Sequence, residues 1–275
     1  MPFITTQDKT NIFFNRWGTG RPVVLIHGWP LTADTWDEVG LSLVENGYQV
    51  IAYDRRGFGR SDQPWDGYTY DRLSDDLFDL LQELRLDNVT LAGFSMGGGE
   101  VARYMSRHAG VRVQSAALIA SIVPYMLKTA DNPAGVAAEQ FETMKIAIRK
   151  DRATFFGTFF NDFYGNSLLS QQASNEVLAW SREQSMKASV KATLDCVDAF
   201  GKTDFRSELH SFDVPTLLLH GTADRIVPIE TSARPASVSI QGATAIEYPD
   251  APHGLLATHR DRVIDDLISF LKSVE

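Results

Sequence analysis

The sequence predicts a single α/β domain in which a mostly parallel sheet is covered by helices on both faces and interrupted late by a helical insertion. Two observations carry this. Short continuous apolar runs, each ending at a Gly-containing loop or a polar turn, recur along the chain, and such runs suit strands buried on both faces. Between them, leucines recur at spacings of three and four, the mark of helices with one apolar face. Strand, helix and strand in succession then imply right-handed crossovers.

The runs can be taken in order. Residues 22–26 (Pro-Val-Val-Leu-Ile) stop at His27-Gly28, and residues 49–53 (Gln-Val-Ile-Ala-Tyr) stop at Asp54-Arg55-Arg56-Gly57. Residues 88–92 end before Gly93; further runs lie at 116–120 and 216–219, with a strand-like segment at 244–248. Leu73, Leu77, Leu80, Leu81 and Leu84 define one helix face, with Asp75, Asp76, Asp79 and Glu83 expected opposite; an acidic first turn suits the helix dipole. Val263, Leu267, Ile268 and Leu271 stripe a last helix. The stretch 124–204 has no clear strand but many aromatics, among them Tyr125, Phe141, Phe155, Phe156, Phe159, Phe160, Phe163 and Tyr164. It is expected to be a helical cap, leaving 1–123 and 205–275 as the α/β core. Most of these aromatics are assigned to the cap's own packing.

The 275 residues are 44% apolar and 22% charged, enough for a large core in one domain. The 26 basic and 35 acidic residues sum to −9, which disfavours nucleic acid and anionic membrane as partners. The N-terminal residues lack the basic and apolar regions of a secretory signal. The most apolar stretch, 116–127, is too short to span a bilayer and contains Pro124. A single cysteine, Cys196, excludes an internal disulfide framework, and a cytoplasmic location is expected.

Chemistry enters at Gly93-Phe94-Ser95-Met96-Gly97, a G-x-S-x-G motif placed after a buried strand and before a helix. On that sharp turn flanking glycines keep side chains away, and the helix points its positive end at the hydroxyl. A serine hydroxyl is a poor nucleophile without a base. Where this turn carries a nucleophile, the chain order is serine, acid, histidine, so the histidine must lie downstream. Of the six histidines, His253 sits in the loop Asp250-Ala-Pro-His-Gly254, after a strand and before the last helix. His259 reads as a surface or capping residue, His108 and His210 carry no special signal, and His27 precedes the serine. The acid is expected at the end of the preceding strand, where Leu217-Leu-Leu-His-Gly-Thr-Ala-Asp224 supplies Asp224 to fix the imidazole tautomer. Asp250 is too near His253 in sequence to brace it, and Asp204 is weaker still. His220 with Asp224 would make half of a metal site, without a third or fourth ligand at sensible spacing.

An oxyanion hole needs two N–H donors. Met96, following the nucleophile, supplies one, and the loop His27-Gly-Trp-Pro30 supplies the other through Trp29, since Pro30 has no N–H. His27 and Gly28 then read as structural. Gly97-Gly98-Gly99 lacks the context of a phosphate loop and is read as close helix packing. Cys196 lies in a helical pattern without a partner histidine and is read as a buried, inert thiol.

Five segments resemble one family: His27-Gly-Trp-Pro-Leu31, Asp54-Arg-Arg-Gly-Phe-Gly-Arg-Ser-Asp62, Gly93-Phe-Ser-Met-Gly-Gly-Gly-Glu100, Asp198-Ala-Phe-Gly-Lys-Thr-Asp-Phe205 and Ala251-Pro-His-Gly254. Over nearly the whole chain the sequence is similar to the cofactor-free haloperoxidase, aryl esterase and perhydrolase family of α/β-hydrolases. The resemblance implies the α/β-hydrolase fold, with an eight-stranded, mostly parallel sheet and a small helical cap. It implies the nucleophile at Ser95, the acid at Asp224, the base at His253 and the oxyanion donors at Trp29 and Met96. It implies ester hydrolysis with a promiscuous perhydrolysis, in which hydrogen peroxide replaces water and the released peracid oxidises halide without haem or metal. No cofactor is therefore expected. The partners implied are a small ester or carboxylic acid and hydrogen peroxide, with a homo-oligomer left open. Pro30 matches the haloperoxidase-like branch, from which above-background perhydrolysis is expected. The aromatic cap suggests a small apolar pocket, with Pro30, Phe94, Tyr125, Phe159 and Ile226 named as its lining.

Rival readings share the same residues. A γ-lactamase or other amide hydrolase would use the same site. A serine at position 95 argues against dehalogenase or epoxide-hydrolase chemistry, which needs a carboxylate there. A hydrolase-like receptor would keep the site for recognition, with slow turnover of every small ester.

Overall fold

Eight strands form one sheet: β1 (Phe3–Thr5), β2 (Asn11–Trp17), β3 (Pro22–Ile26), β4 (Gln49–Tyr53), β5 (Val89–Phe94), β6 (Val113–Ile119), β7 (Thr216–Gly221) and β8 (Thr244–Tyr248). Their spatial order is β1-β2-β4-β3-β5-β6-β7-β8 in a computed structural model that describes residues 2–167 and 170–275. β1 and β2 pair antiparallel, as do β2 and β4, and every later pair is parallel. The sheet is therefore eight-stranded and mostly parallel. All residues of β5 and β7 are buried, as their apolar runs require when helices cover both faces.

Nine α-helices are present among the described residues: α1 (Asp37–Glu45), α2 (Tyr70–Glu83), α3 (Met96–Arg107), α4 (Ala138–Phe163), α5 (Asn175–Met186), α6 (Val190–Lys202), α7 (Ala233–Ser239), α8 (Leu255–Thr258) and α9 (Arg260–Ser273). None is long and apolar enough to cross a membrane. Helix α2 buries Leu73, Leu77, Leu80 and Leu81, the face expected from spacing. It also buries two of the aspartates expected on its polar side. Asp76 meets the buried Arg56 through two hydrogen bonds of 2.5 and 2.7 Å, and Asp79 accepts the Gln7 N–H at 2.9 Å. A buried guanidinium needs a carboxylate partner, and periodicity alone does not reveal one.

The edge pair β1 and β2 escapes the run-counting that finds the other strands. β1 has only three residues, and β2 mixes buried Ile12, Phe13 and Phe14 with Asn15 and Arg16. Between β6 and β7 the chain leaves the sheet to form α4, α5 and α6. The ends of this excursion meet, with Tyr125 bridged to Asp204 and the Phe205 N–H donating to the Pro124 carbonyl at 2.9 Å. Helix α4 is interrupted at Asp151, whose carboxylate accepts the Thr154 N–H at 2.9 Å and so caps the second half.

One consequence of the strand order positions the chemistry. The chain moves from β3 to β4 on one side, then crosses to β5 on the other, so loops after β3 and β5 diverge at a switch point. Ile26 lies in register with Gly93, which puts the loop starting at His27 beside Ser95.

Candidate active site

Ser95 stands between the end of β5 and the start of α3 with φ 54° and ψ −118°, a left-handed backbone that is strained for a residue with a Cβ. The surrounding chain holds it there. Its N–H donates to the Ile119 carbonyl at 2.9 Å, and its own carbonyl accepts the Gly98 N–H at 3.0 Å. The flanking glycines serve close approach: a Cβ at Gly93 would lie 2.5 Å from the Gly97 carbonyl oxygen, and one at Gly97 2.4 Å from that of Ile26.

The loops after β7 and β8 bring two further groups to this turn. His253 Nε2 lies 2.9 Å from Ser95 Oγ, and His253 Nδ1 lies 2.7 Å from Asp224 Oδ2. All three side chains are buried, the serine 6% exposed and the histidine not at all. Phe94 and Phe163 pack on the imidazole at ring separations of 5.3 and 4.7 Å. The other oxygen of Asp224 accepts the Ile226 and Val227 N–H groups at 2.9 and 2.8 Å, fixing the carboxylate's orientation. Burial alone would raise the Asp224 pKa, but the charge and hydrogen bonds of His253 and His220 hold it well below the usual carboxylate range.

His220 is a group whose place in this network the sequence reading did not anticipate. Its Nε2 lies 2.9 Å from the Val227 carbonyl, an acceptor only, so Nε2 carries the proton and also faces Asp224 Oδ2 at 3.3 Å. Weighed from sequence as a metal ligand, it gathers no third ligand among the described residues. A signal was present: a histidine inside the apolar strand Thr216–Gly221 is a buried polar group and needs a partner.

The loop after β3 offers the second set of donors. Met96 opens α3, so its N–H is one of the helix's orphan donors, and the Trp29 N–H has no hydrogen-bond partner among the described residues. Trp29 is anchored from the helical excursion, its Nε1 donating to the Thr193 carbonyl at 3.1 Å and its ring packed by Phe156, Phe159 and Phe200. Beneath it His27 is fully buried and accepts the Arg55 N–H at Nε2, 3.0 Å away. Burial, reinforced by the Arg55 charge, keeps His27 well below its ordinary pKa, so it packs as a neutral ring. Arg55 in turn donates to the His27 carbonyl at 2.6 Å and pairs with buried Glu100 of α3.

Ser95 opens into a cavity of about 110 Å³ whose wall includes Trp29, Phe159 and Ile226. Phe141, Phe200 and Met144 are among its other apolar residues, with Gln140 and Arg225 as polar members. Three residues expected in this wall lie elsewhere. Phe94 packs on the His253 ring and lines a separate cavity of about 270 Å³. Pro30 is buried but lines neither cavity, and Tyr125 stacks under Arg206, 4.9 Å from the ring centre. These placements depend on contacts across the chain, which spacing does not disclose. Cys196 is fully buried, and burial pushes its thiol up to about 12.

Comparison with known proteins adds an independent line. A family model described as alpha/beta hydrolase fold matches residues 21–259. The chain is similar to a non-heme haloperoxidase of Rhodococcus erythropolis, 41% identical and covering 99% of this chain and 100% of that protein. It is 38% identical to a bifunctional esterase/perhydrolase of Acinetobacter calcoaceticus, with the same coverage of both. Among solved structures it is similar to a bromoperoxidase from Bacillus anthracis, with a TM-score of 0.94, 43% identity and 97% of each chain covered.

Proposed function

The chain belongs to the alpha/beta hydrolase fold family, and on that footing we propose that it is a carboxylic ester hydrolase acting through an acyl-enzyme on Ser95, with hydrogen peroxide as an alternative acyl acceptor. The observation that carries this is the unbroken relay from Ser95 Oγ to His253 Nε2 and from His253 Nδ1 to Asp224.

The steps follow from who can donate and accept. His253 Nε2 takes the Ser95 proton as Oγ bonds to the ester carbonyl carbon, and the N–H groups of Trp29 and Met96 hold the oxyanion that forms. Asp224, ionised under its two imidazoles, stabilises the imidazolium. The carbon–alkoxide bond then breaks, and the alcohol leaves with the proton from His253. Water gives its proton to the same nitrogen, attacks the acyl carbon and releases the acid with Ser95 restored. Hydrogen peroxide in water's place releases a peracid. When a free carboxylic acid is the acyl donor, water is the group expelled in the first half. Every group these steps use belongs to the chain or to the reactants.

We divide the chain into a catalytic core, 1–123 and 205–275, and a cap, 124–204, of which residues 168 and 169 lie outside the described residues. The anchoring of Trp29 by Thr193 and the phenylalanines supports a positioning role for this cap as well as a covering one. A cytoplasmic location fits the single cysteine.

A fluorophosphonate probe tests the proposal. The account expects stoichiometric labelling of the peptide containing Ser95 by mass spectrometry, with ester hydrolysis lost in step. Labelling of another residue, or activity surviving full labelling, sinks it.

A further inference from the structure

We infer that the preferred substrates carry a carboxylate a few bonds from the scissile carbonyl, and that Arg225 receives it. This deepens the esterase reading above and rests on it. The cavity at Ser95 is walled by apolar side chains, with Arg225 as the cation among its lining residues. Arg225 follows Asp224 directly, on the loop that the Asp224 carboxylate pins through the Ile226 and Val227 N–H groups. The same two bonds that orient the acid therefore hold Arg225 and Ile226 at the cavity wall. A recognition group on a pinned loop costs less to order than one on a free loop.

The guanidinium is exposed and makes no ion pair or hydrogen bond with any described residue. It also borders an adjoining hollow of about 130 Å³ lined in part by Asp162 and Asp250, yet neither carboxylate reaches it as a salt bridge. Its donors are thus unengaged, on a residue that lines the same cavity as Ser95. The Gln140 side chain, likewise exposed and without a partner among the described residues, is the other polar side chain of the wall apart from Ser95. An anion gains nothing from the protein's long-range field, because the chain carries a net charge of −9. A local cation at the mouth is what would reverse that repulsion over the last few ångströms, and a guanidinium fork matches a carboxylate in geometry.

Two substrate pairs separate the side on which the carboxylate sits. Monomethyl glutarate against methyl butyrate places it on the acyl side, and 4-acetoxybenzoate against phenyl acetate places it on the alcohol side. For each pair the readout is the ratio of kcat/KM, anionic over neutral, in wild type and in Arg225→Gln. The inference expects at least one ratio to fall about ten-fold in the variant, as loss of a charge-assisted hydrogen bond implies. In wild type that ratio should also shrink in about 0.5 M salt, which screens an exposed pair. Both ratios staying within about two-fold of wild type, less than one such bond is worth, would overturn the role of Arg225. Failure of the wild type to hydrolyse any of the four esters is a different result: it removes the esterase reading, and this inference with it.

Discussion

His220 and His253 approach the same oxygen of Asp224, His253 through Nδ1 at 2.7 Å and His220 through Nε2 at 3.3 Å. One imidazole is aligned toward the nucleophile. The other is locked in the strand, its Nε2 facing the Val227 carbonyl and its buried Nδ1 without a hydrogen-bond partner among the described residues. The pair makes the acid's orientation depend on two rings.

Replacing His220 by Leu keeps the apolar strand but removes the N–H that lies 3.3 Å from the carboxylate. We expect kcat/KM on p-nitrophenyl acetate to fall about ten- to hundred-fold, the worth of a hydrogen bond to a charged group, with the fold retained by circular dichroism. Wild-type kinetics in a folded variant would show that His253 alone suffices.

Gly28 offers a steric test of the loop that carries Trp29. A Cβ there would stand 2.9 Å from both the Phe94 ring and the Ser95 Cβ, so the loop must shift. Loss of one oxyanion donor costs about a hundred-fold in kcat. Gly28→Ala should show such a loss in kcat with KM nearly unchanged; an unaltered kcat would mean that the amide's position is not critical.

The fold and the relay were largely legible because both leave local signatures. Gly93 to Gly97 lies between a buried run and a helix, and His253 and Asp224 each follow a run that becomes a strand. What stayed hidden depends on side chains meeting across distance. His220 lies only four residues before Asp224, but its role is visible only once the 224–227 turn folds the chain back onto it. Phe94, expected in the cavity wall, instead packs on His253, a contact between segments far apart in the chain. Arg225 carried no periodic or motif signal at all.

Beneath the loop, Arg55 and Glu100 form a fully buried ion pair that also ties down the His27 carbonyl. Glu100→Gln leaves the guanidinium charge uncompensated in the interior. The expected cost is about 3 kcal/mol of unfolding free energy, measured by urea titration. A change under about 0.5 kcal/mol, the range of ordinary surface substitutions, would mean that the pair relaxes without penalty.

Asp37 gives a pH prediction with a definite sign. Desolvation, reinforced by Asp34 and opposed by Arg60, lifts its pKa from 3.8 to about 6. A carboxyl raised in the folded state supports the fold fully below its unfolded pKa and loses that support as pH rises through the folded value. Asp37→Asn should therefore match wild type in stability near pH 4 and exceed it near pH 8. Because Asp37 is exposed, solvent screening reduces the gain to about 1 kcal/mol. A stability difference that does not grow between those pH values would refute the assignment.

The central claim is that one serine serves both acyl acceptors. Initial rates on p-nitrophenyl acetate, and peracetic acid formation from acetate and hydrogen peroxide, are to be measured side by side for wild type and Ser95→Ala. The account predicts that wild type performs both reactions and that both fall together in the variant, by about 10⁶-fold in kcat or to background. Ester hydrolysis persisting in Ser95→Ala, or peracid formation persisting after hydrolysis is lost, would contradict it.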